Sequence, residues 1–354
     1  MKNKNPTTLN FFKKSAPFCC TMFCVLVIPF ILFSSCQKDI GIVSGTNNSS
    51  VQRVSVVKSI DLSQTLAVKP ATLVGPLVLS GKSNLVIRGD SINGGSQPCI
   101  TLINCNNIRI TNCKLVNSSL VGINLNNCTM IRIDSNYISH VSTGVYALNC
   151  KSIQVEYNQM QNMQGPYPKG AFVQFDNVTG SYNRVEFNKL ENILGASVPE
   201  DAISMYQSSG LSTDPIYIIG NWIRGGGPSK TGGGIMLGDG GGSYQIAEYN
   251  ILVNPGQYGM AVSGGTNMQI LNNQIFSIAE PFSNVGLYYW NQSGLPSSAI
   301  TISGNKVKFL SGLLGGENDS WIGPGNSTPT GWSTNIFGAN LSSSILPSVL
   351  ITNR

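Results

Sequence analysis

Charge is scarce in this chain. Of 354 residues only 11% are Asp, Glu, Lys or Arg, and there is a single histidine, His140. No basic stripe with interleaved aromatics is present, so nothing suggests a nucleic-acid surface. The stretches "GGPSKTGGG" and "LGDGGGS" are glycine-rich, but no GK[ST] follows on a helix, so neither is a phosphate-binding loop. Their glycines suit backbone passing close to a long ligand or to another loop. Helix interiors are disfavoured by 39 Gly together with abundant Asn and Ser. β-branched residues and turn formers dominate instead, which points to an all-β chain.

The amino-terminal segment stands apart. Lys2, Lys4, Lys13 and Lys14 precede the uncharged run "SAPFCCTMFCVLVIPFILFSSC", which ends at Cys36. Basic front, apolar middle and small residues are the order of a secretory leader, so residues 1–35 are read as a signal peptide. Ser34, Ser35 and Cys36 resemble a bacterial lipobox, whose cysteine is lipidated, and "CQKD" resembles the start of a Bacteroidota surface lipoprotein. The run is also long enough to be an uncleaved membrane anchor. Residues 36–53, rich in Ser, Asn and Gly, read as a flexible tether. The expected location is the outer membrane or cell surface, held by a lipid. Without the leader the chain carries 18 basic against 16 acidic residues. Apart from the anchor Cys36, five cysteines remain, Cys99, Cys105, Cys113, Cys128 and Cys150, with no CxxC zinc spacing among them.

What the chain does have is a repeat. "IRITNCKL" (108–115), "IRIDSNYI" (131–138), "IQVEYNQM" (153–160), "NRVEFNKL" (183–190), "IYIIGNWI" (216–223), "QIAEYNIL" (245–252), "MQILNNQI" (268–275) and "ITISGNKV" (300–307) align on one pattern. Its sixth residue is Cys113, then Asn136, Asn158, Asn188, Asn221, Asn250, Asn273 and Asn305, at spacings from 22 to 33 residues. Variable spacing excludes a fixed hexapeptide prism, and four-stranded propeller blades would need more residues per repeat. A right-handed parallel β-helix fits: turns stack at about 4.8 Å, so equivalent residues form columns. The isoleucines face the coil's interior, and the asparagines stack as a ladder at a sharp turn. The copy at Asn250 is out of phase at its apolar positions, which predicts a local bulge. Arg109, Arg132 and Arg184 share one outward column, and Asp134, Glu156 and Glu186 the next, as a solvated ladder of pairs. Cys105, Cys128 and Cys150 share another column, read as small, soft core side chains. In an oxidising envelope a vertical disulfide is an open alternative.

A ladder between two strands, with long insertions after the third, resembles the pectate-lyase-like superfamily of β-helices over roughly residues 80 to 310. That resemblance implies a substrate groove built by the third-turn loops and the outward face of the first strand. It implies a carbohydrate ligand more strongly than a reaction. The insertions are 161–171, 191–202, 224–234, 252–258 and 276–286, and unequal insertion on one side of a solenoid marks its binding face. The Asp-Pro-His-Asp signature of mannuronan epimerases is absent. So is the polygalacturonase histidine, since His140 precedes the insertions.

Alternation along the groove strands places Gln174, Ser204, Met236, Ala261 and Tyr288 in one outward column, and Asp176, Tyr206, Gly238, Ser263 and Trp290 in the next. Asp176, Asp201, Lys230 and Asp239 are the candidate catalytic residues. Lys169, Glu200, Tyr206, Tyr258, Tyr288 and Trp290 are the candidate substrate-binding residues, because flat aromatic faces stack on the C–H faces of pyranose rings. A lyase or epimerase would neutralise a uronate, with Ca²⁺ as a candidate cofactor, and take its C5 proton with Lys or Tyr. A glycosidase would use two carboxylates. The acids could instead cap turns. The expected function is cleavage or epimerisation of an acidic polysaccharide, lyase or epimerase ahead of hydrolase. The alternative is a non-catalytic glycan-binding or structural surface lipoprotein. The expected organisation is a monomer with the β-helix and its amino-terminal cap over 54–316 and a carboxy-terminal cap over 317–354.

Overall fold

The computed structural model describes residues 73–166 and 170–352. The leader 1–35, Cys36, the tether 36–53, residues 54–72 of the expected cap, and Lys169 lie outside the described residues. Among the described residues, no helix is long and apolar enough to cross a membrane.

The chain winds as a right-handed parallel β-helix. Each turn contributes one strand to each of three sheets, and every sheet runs parallel except where Gly316–Glu317 folds back on Lys306–Ser311. The groove sheet has ten strands, from Leu77–Ser80 through Val173–Asp176, Ile203–Tyr206, Ile235–Asp239, Tyr258–Val262 and Val285–Tyr289 to Ser320–Ile322. The second sheet carries the repeat's isoleucines, and the third follows the ladder. Isoleucines at alternate positions are buried rung upon rung, as with Ile108, Ile131 and Ile153 or Ile110, Ile133 and Val155. Each fully buried side chain of this size stabilises the coil by about 1.5–3 kcal/mol.

The asparagines form one file. Each side-chain Nδ2 donates to the next residue's Oδ1 at 2.8–3.0 Å, from Asn136 through Asn158, Asn188, Asn221, Asn250, Asn273 and Asn305 to Asn335. Each Oδ1 also accepts the backbone N–H of the preceding member. At the head, Cys113 offers only its backbone N–H, to Asn136. From Asn136 to Asn305, the left-handed backbone of this turn belongs to the residue before each ladder asparagine, such as Ser135, Tyr157 and Phe187, and the asparagine itself contributes its amide.

Asn335 is an eighth member that the repeat did not reveal. The segment expected as a carboxy-terminal cap thus adds another turn: Ser320–Ile322 joins the groove sheet and Ile336–Phe337 the third sheet. A strap then runs back across the third sheet. Leu346, Leu350 and Ile351 are buried against Trp222, Ile251, Val253 and Phe276, Arg224 donates to the carbonyls of Pro347 and Ser348, and the Thr352 N–H donates to Gln159 Oε1 at 2.7 Å.

The charged columns pair diagonally between rungs. Arg109 holds Asp134 in two bonds of 2.7 and 2.8 Å, Arg132 reaches Glu156 at 3.2 Å, and Arg184 pairs with Asp214. All five described cysteines are buried and free, with Cys105, Cys128 and Cys150 on consecutive rungs.

Candidate functional site

On the groove sheet the first outward column is as the alternation predicts: Gln174, Ser204, Met236, Ala261 and Tyr288 stand in register. The second column departs from strict alternation. The register shifts between Ser204 and Tyr206, so that Tyr206 faces Asp239 where Gly238 was expected. Gly238 has φ +65°, and a Cβ there would sit 2.1 Å from the Gly264 carbonyl oxygen. The bulge therefore requires glycine. It also explains the phase slip at "QIAEYN". That strand, Ser243–Glu248, keeps an unbroken register with its neighbours, and Gln245 takes the inward place of an isoleucine. Fully buried, Gln245 accepts the Gly238 N–H at 2.9 Å and donates to the Ser208 carbonyl at 2.7 Å. The predicted bulge lies in the groove sheet of this coil turn rather than in the repeat strand.

Three aspartates lie along this face, Asp176 and Asp239 on either side of the Tyr206 rung and Asp201 just before the strand that carries Tyr206. Tyr146 donates its hydroxyl to Asp176 at 2.7 Å, and Tyr258 donates to Asp201 at 2.5 Å. The Gly233 N–H adds a bond to Asp201 at 3.2 Å. Tyr146 is a site residue that the sequence reading missed, because attention fell on the rungs with insertions. Burial, then the charges of Asp239 and Asp176, push the Tyr206 phenol up. Burial, then Asp201 with a smaller contribution from Asp239, pushes Tyr258 well up, and burial followed by the same acids raises Tyr288. At neutral pH all these tyrosines are proton donors.

The other candidates divide. Tyr258 is 0% and Tyr288 8% exposed, so they floor the site rather than present a face to a ligand. Tyr206 and Trp290 remain partly exposed. Glu200 is 7% exposed, and its two oxygens accept the hydroxyls of Ser229, at 2.6 Å, and Thr231, at 2.5 Å. It clamps the 224–234 insertion, whose Gly232 lies directly against the Glu200 backbone. Lys230, between those two hydroxyl residues, is exposed at the rim, and its carbonyl accepts from Gln257. Among the described residues, no group of three or more His, Cys, Asp or Glu side chains is arranged to hold a metal ion. A cavity of about 150 Å³ bordered by Asn192, Arg224, Asn254, Glu280 and Phe282 sits at the other end of the 224–234 insertion and includes none of the candidates. His140 is exposed on the third sheet, with its Nδ1 2.6 Å from Ser139 Oγ, away from the groove.

Comparison with known proteins finds two solved structures with related winding. One is the catalytic domain of a GH87 alpha-1,3-glucanase in complex with tetrasaccharides, at 14% identity and TM-score 0.29, covering 72% of this chain and 49% of that one. The other is the catalytic unit of a thermostable GH87 alpha-1,3-glucanase from Streptomyces thermodiastaticus strain HF3-3, at 11% identity and TM-score 0.26, covering 73% of this chain and 65% of that one. The chain thus spans between about half and two thirds of the length of these structures. No curated protein matches it. Residues 77–246, from the first groove strand to the strand that holds Gln245, match the family model described as the right handed beta helix region.

Proposed function

We propose that the groove binds a polysaccharide chain and hydrolyses a glycosidic bond with carboxylates drawn from Asp176, Asp201 and Asp239. The observation that carries this reading is the bulge at Gly238, which sets Asp239 opposite Tyr206, itself opposite Asp176, so that the two acids share one outward column two rungs apart, about 10 Å. One carboxylic acid would protonate the leaving oxygen. A second carboxylate would activate water or attack the anomeric carbon, according to their separation. Buried phenols that donate to Asp176 and Asp201 fix the orientation of each carboxylate, which such chemistry needs.

The same observations weigh against the lyase or epimerase expected from sequence. That chemistry needs a base near the C5 proton. Tyr206, Tyr258 and Tyr288 hold their protons, and Lys230 lies exposed at the rim. An acidic polysaccharide is also a less natural substrate for a groove sheet whose strands carry no Lys or Arg. The leader with Cys36 supports a lipid-anchored protein at the cell surface, acting on glycan outside the cell.

Incubation with neutral and uronate polysaccharides, with and without Ca²⁺, tests the proposal. New reducing ends without unsaturated products are expected, and Asp201→Asn and Asp239→Asn should abolish them. Unsaturated ends would replace hydrolysis with lyase chemistry. Binding without any product would make the protein a glycan-binding module.

A further inference from the structure

Past the acids, the outward face of the groove sheet changes character. Met236, Ala261, Tyr288 and then Trp321 continue the first column, and Trp290 stands beside them. Met236, Ala261 and Tyr288 are buried together with Tyr258 and Val285, while Trp290 and Trp321 cover them and stay partly exposed. The two indoles meet edge to face, with centroids 5.6 Å apart and planes at 71°, and Trp321 also lies 6.2 Å from the Tyr288 ring. Trp290 packs against the backbone of Gly323, which holds its ring in place.

Trp321 comes from the additional turn that closes the groove sheet. It stands three rungs beyond Asp239, about 14 Å along the coil axis. A pyranose chain laid along the groove from the acids reaches this pair without changing direction. Rigid aromatic surface that is apolar on its face and keeps an N–H at its edge suits the C–H face and hydroxyl rim of a sugar ring.

We infer that Trp290 and Trp321 form a distal subsite for a pyranose unit of the same glycan chain whose bond lies over the aspartates. This rests on the reading of the groove as a polysaccharide site and adds to it where the chain is gripped. The subsite makes affinity depend on chain length, since only a chain long enough to span from the acids to the last turn engages both.

The probe is a size-graded series, trimer to octamer, prepared from whichever polysaccharide of the panel the protein binds. Binding is measured by calorimetry on full-length protein carrying Asp201→Asn to prevent turnover. Affinity should rise with length, and Trp321→Ala should cut the gain from trimer to octamer by roughly fivefold to tenfold. Trp321→Leu, which keeps apolar cover over Tyr288, guards against misfolding and should show the same flattening, whereas Trp321→Phe should restore part of the gain. If the three variants keep the parent's full length dependence, the subsite is wrong and the groove assignment stands. If no glycan of any length binds the parent, both fail together.

Discussion

Gln245 and Gly238 are joined through the interior of the coil: the buried side-chain amide of one satisfies the bulged backbone N–H of the other at 2.9 Å. An interior amide in a column of isoleucines would be costly if unpaired, and here both of its ends are bonded. The pair ties a break in the repeat to the placement of Asp239. Replacing Gln245 by Leu restores the apolar pattern but orphans the Gly238 N–H and leaves the Ser208 carbonyl only the 3.3 Å bond from the Ser243 N–H. The expected result is a stability loss of about 2–3 kcal/mol by urea denaturation. Hydrolysis should drop by tenfold or more even where the variant is fully folded, because Asp239 loses its register with Tyr206.

The hydroxyl that Tyr258 gives Asp201 is buried out of reach of any ligand. Tyr258→Phe should therefore lower kcat and leave KM close to wild type, at a stability cost of about 1–2 kcal/mol. A rise in KM alone would mean that the ring contacts substrate after all, contrary to its position.

Asn188 sits in the middle of the ladder. Its amide donates to the Val155 carbonyl and to Asn221, and its oxygen accepts from the backbone and side chain of Asn158. Asn188→Ala should cost about 3–5 kcal/mol, since several buried groups lose partners at once. Denaturant midpoints read this directly, and Asn335→Ala at the file's end should cost less.

Glu186 titrates in the charged column of the second sheet. Burial, opposed by Arg184 and reinforced by Glu156, raises its carboxyl to about 7. The folded state thus holds a proton that the unfolded state releases at lower pH. The stability of the wild type falls as pH rises from the ordinary glutamate range to about 7, and the penalty is fully present above that. Glu186→Gln should match wild type near pH 4 and exceed it above pH 7, by on the order of 2 kcal/mol. An equal difference at both pH values would contradict this.

The coil was legible in the sequence because its signals are periodic: seven ladder asparagines and the alternating isoleucines each recur at a fixed place in the turn. Legibility failed where one residue departs from the period for a local reason. Asp239 was placed one residue out of its column because counting by twos breaks at a left-handed glycine. The phase slip at Gln245 predicts a bulge but not the sheet that holds it, because the partner of Gln245 lies in another sheet. Asn335 and Trp321 were hidden in the Pro- and Gly-rich stretch "WIGPGNSTPTGWSTNIF", where long connections dilute the strand pattern. Tyr146 gave no signal of its own, since a tyrosine on a strand looks the same whether or not a carboxylate lies one rung above.

The returning strap changes how this solenoid should come apart. Stacked turns that touch only their neighbours can fray one at a time from an end. Here Thr352 is tied to Gln159 across 193 residues of sequence, so the closing turns cannot peel away while the strap remains seated on the middle of the stack. Unfolding should gain cooperativity and refolding should slow, because the strap must find a partner far back in the sequence.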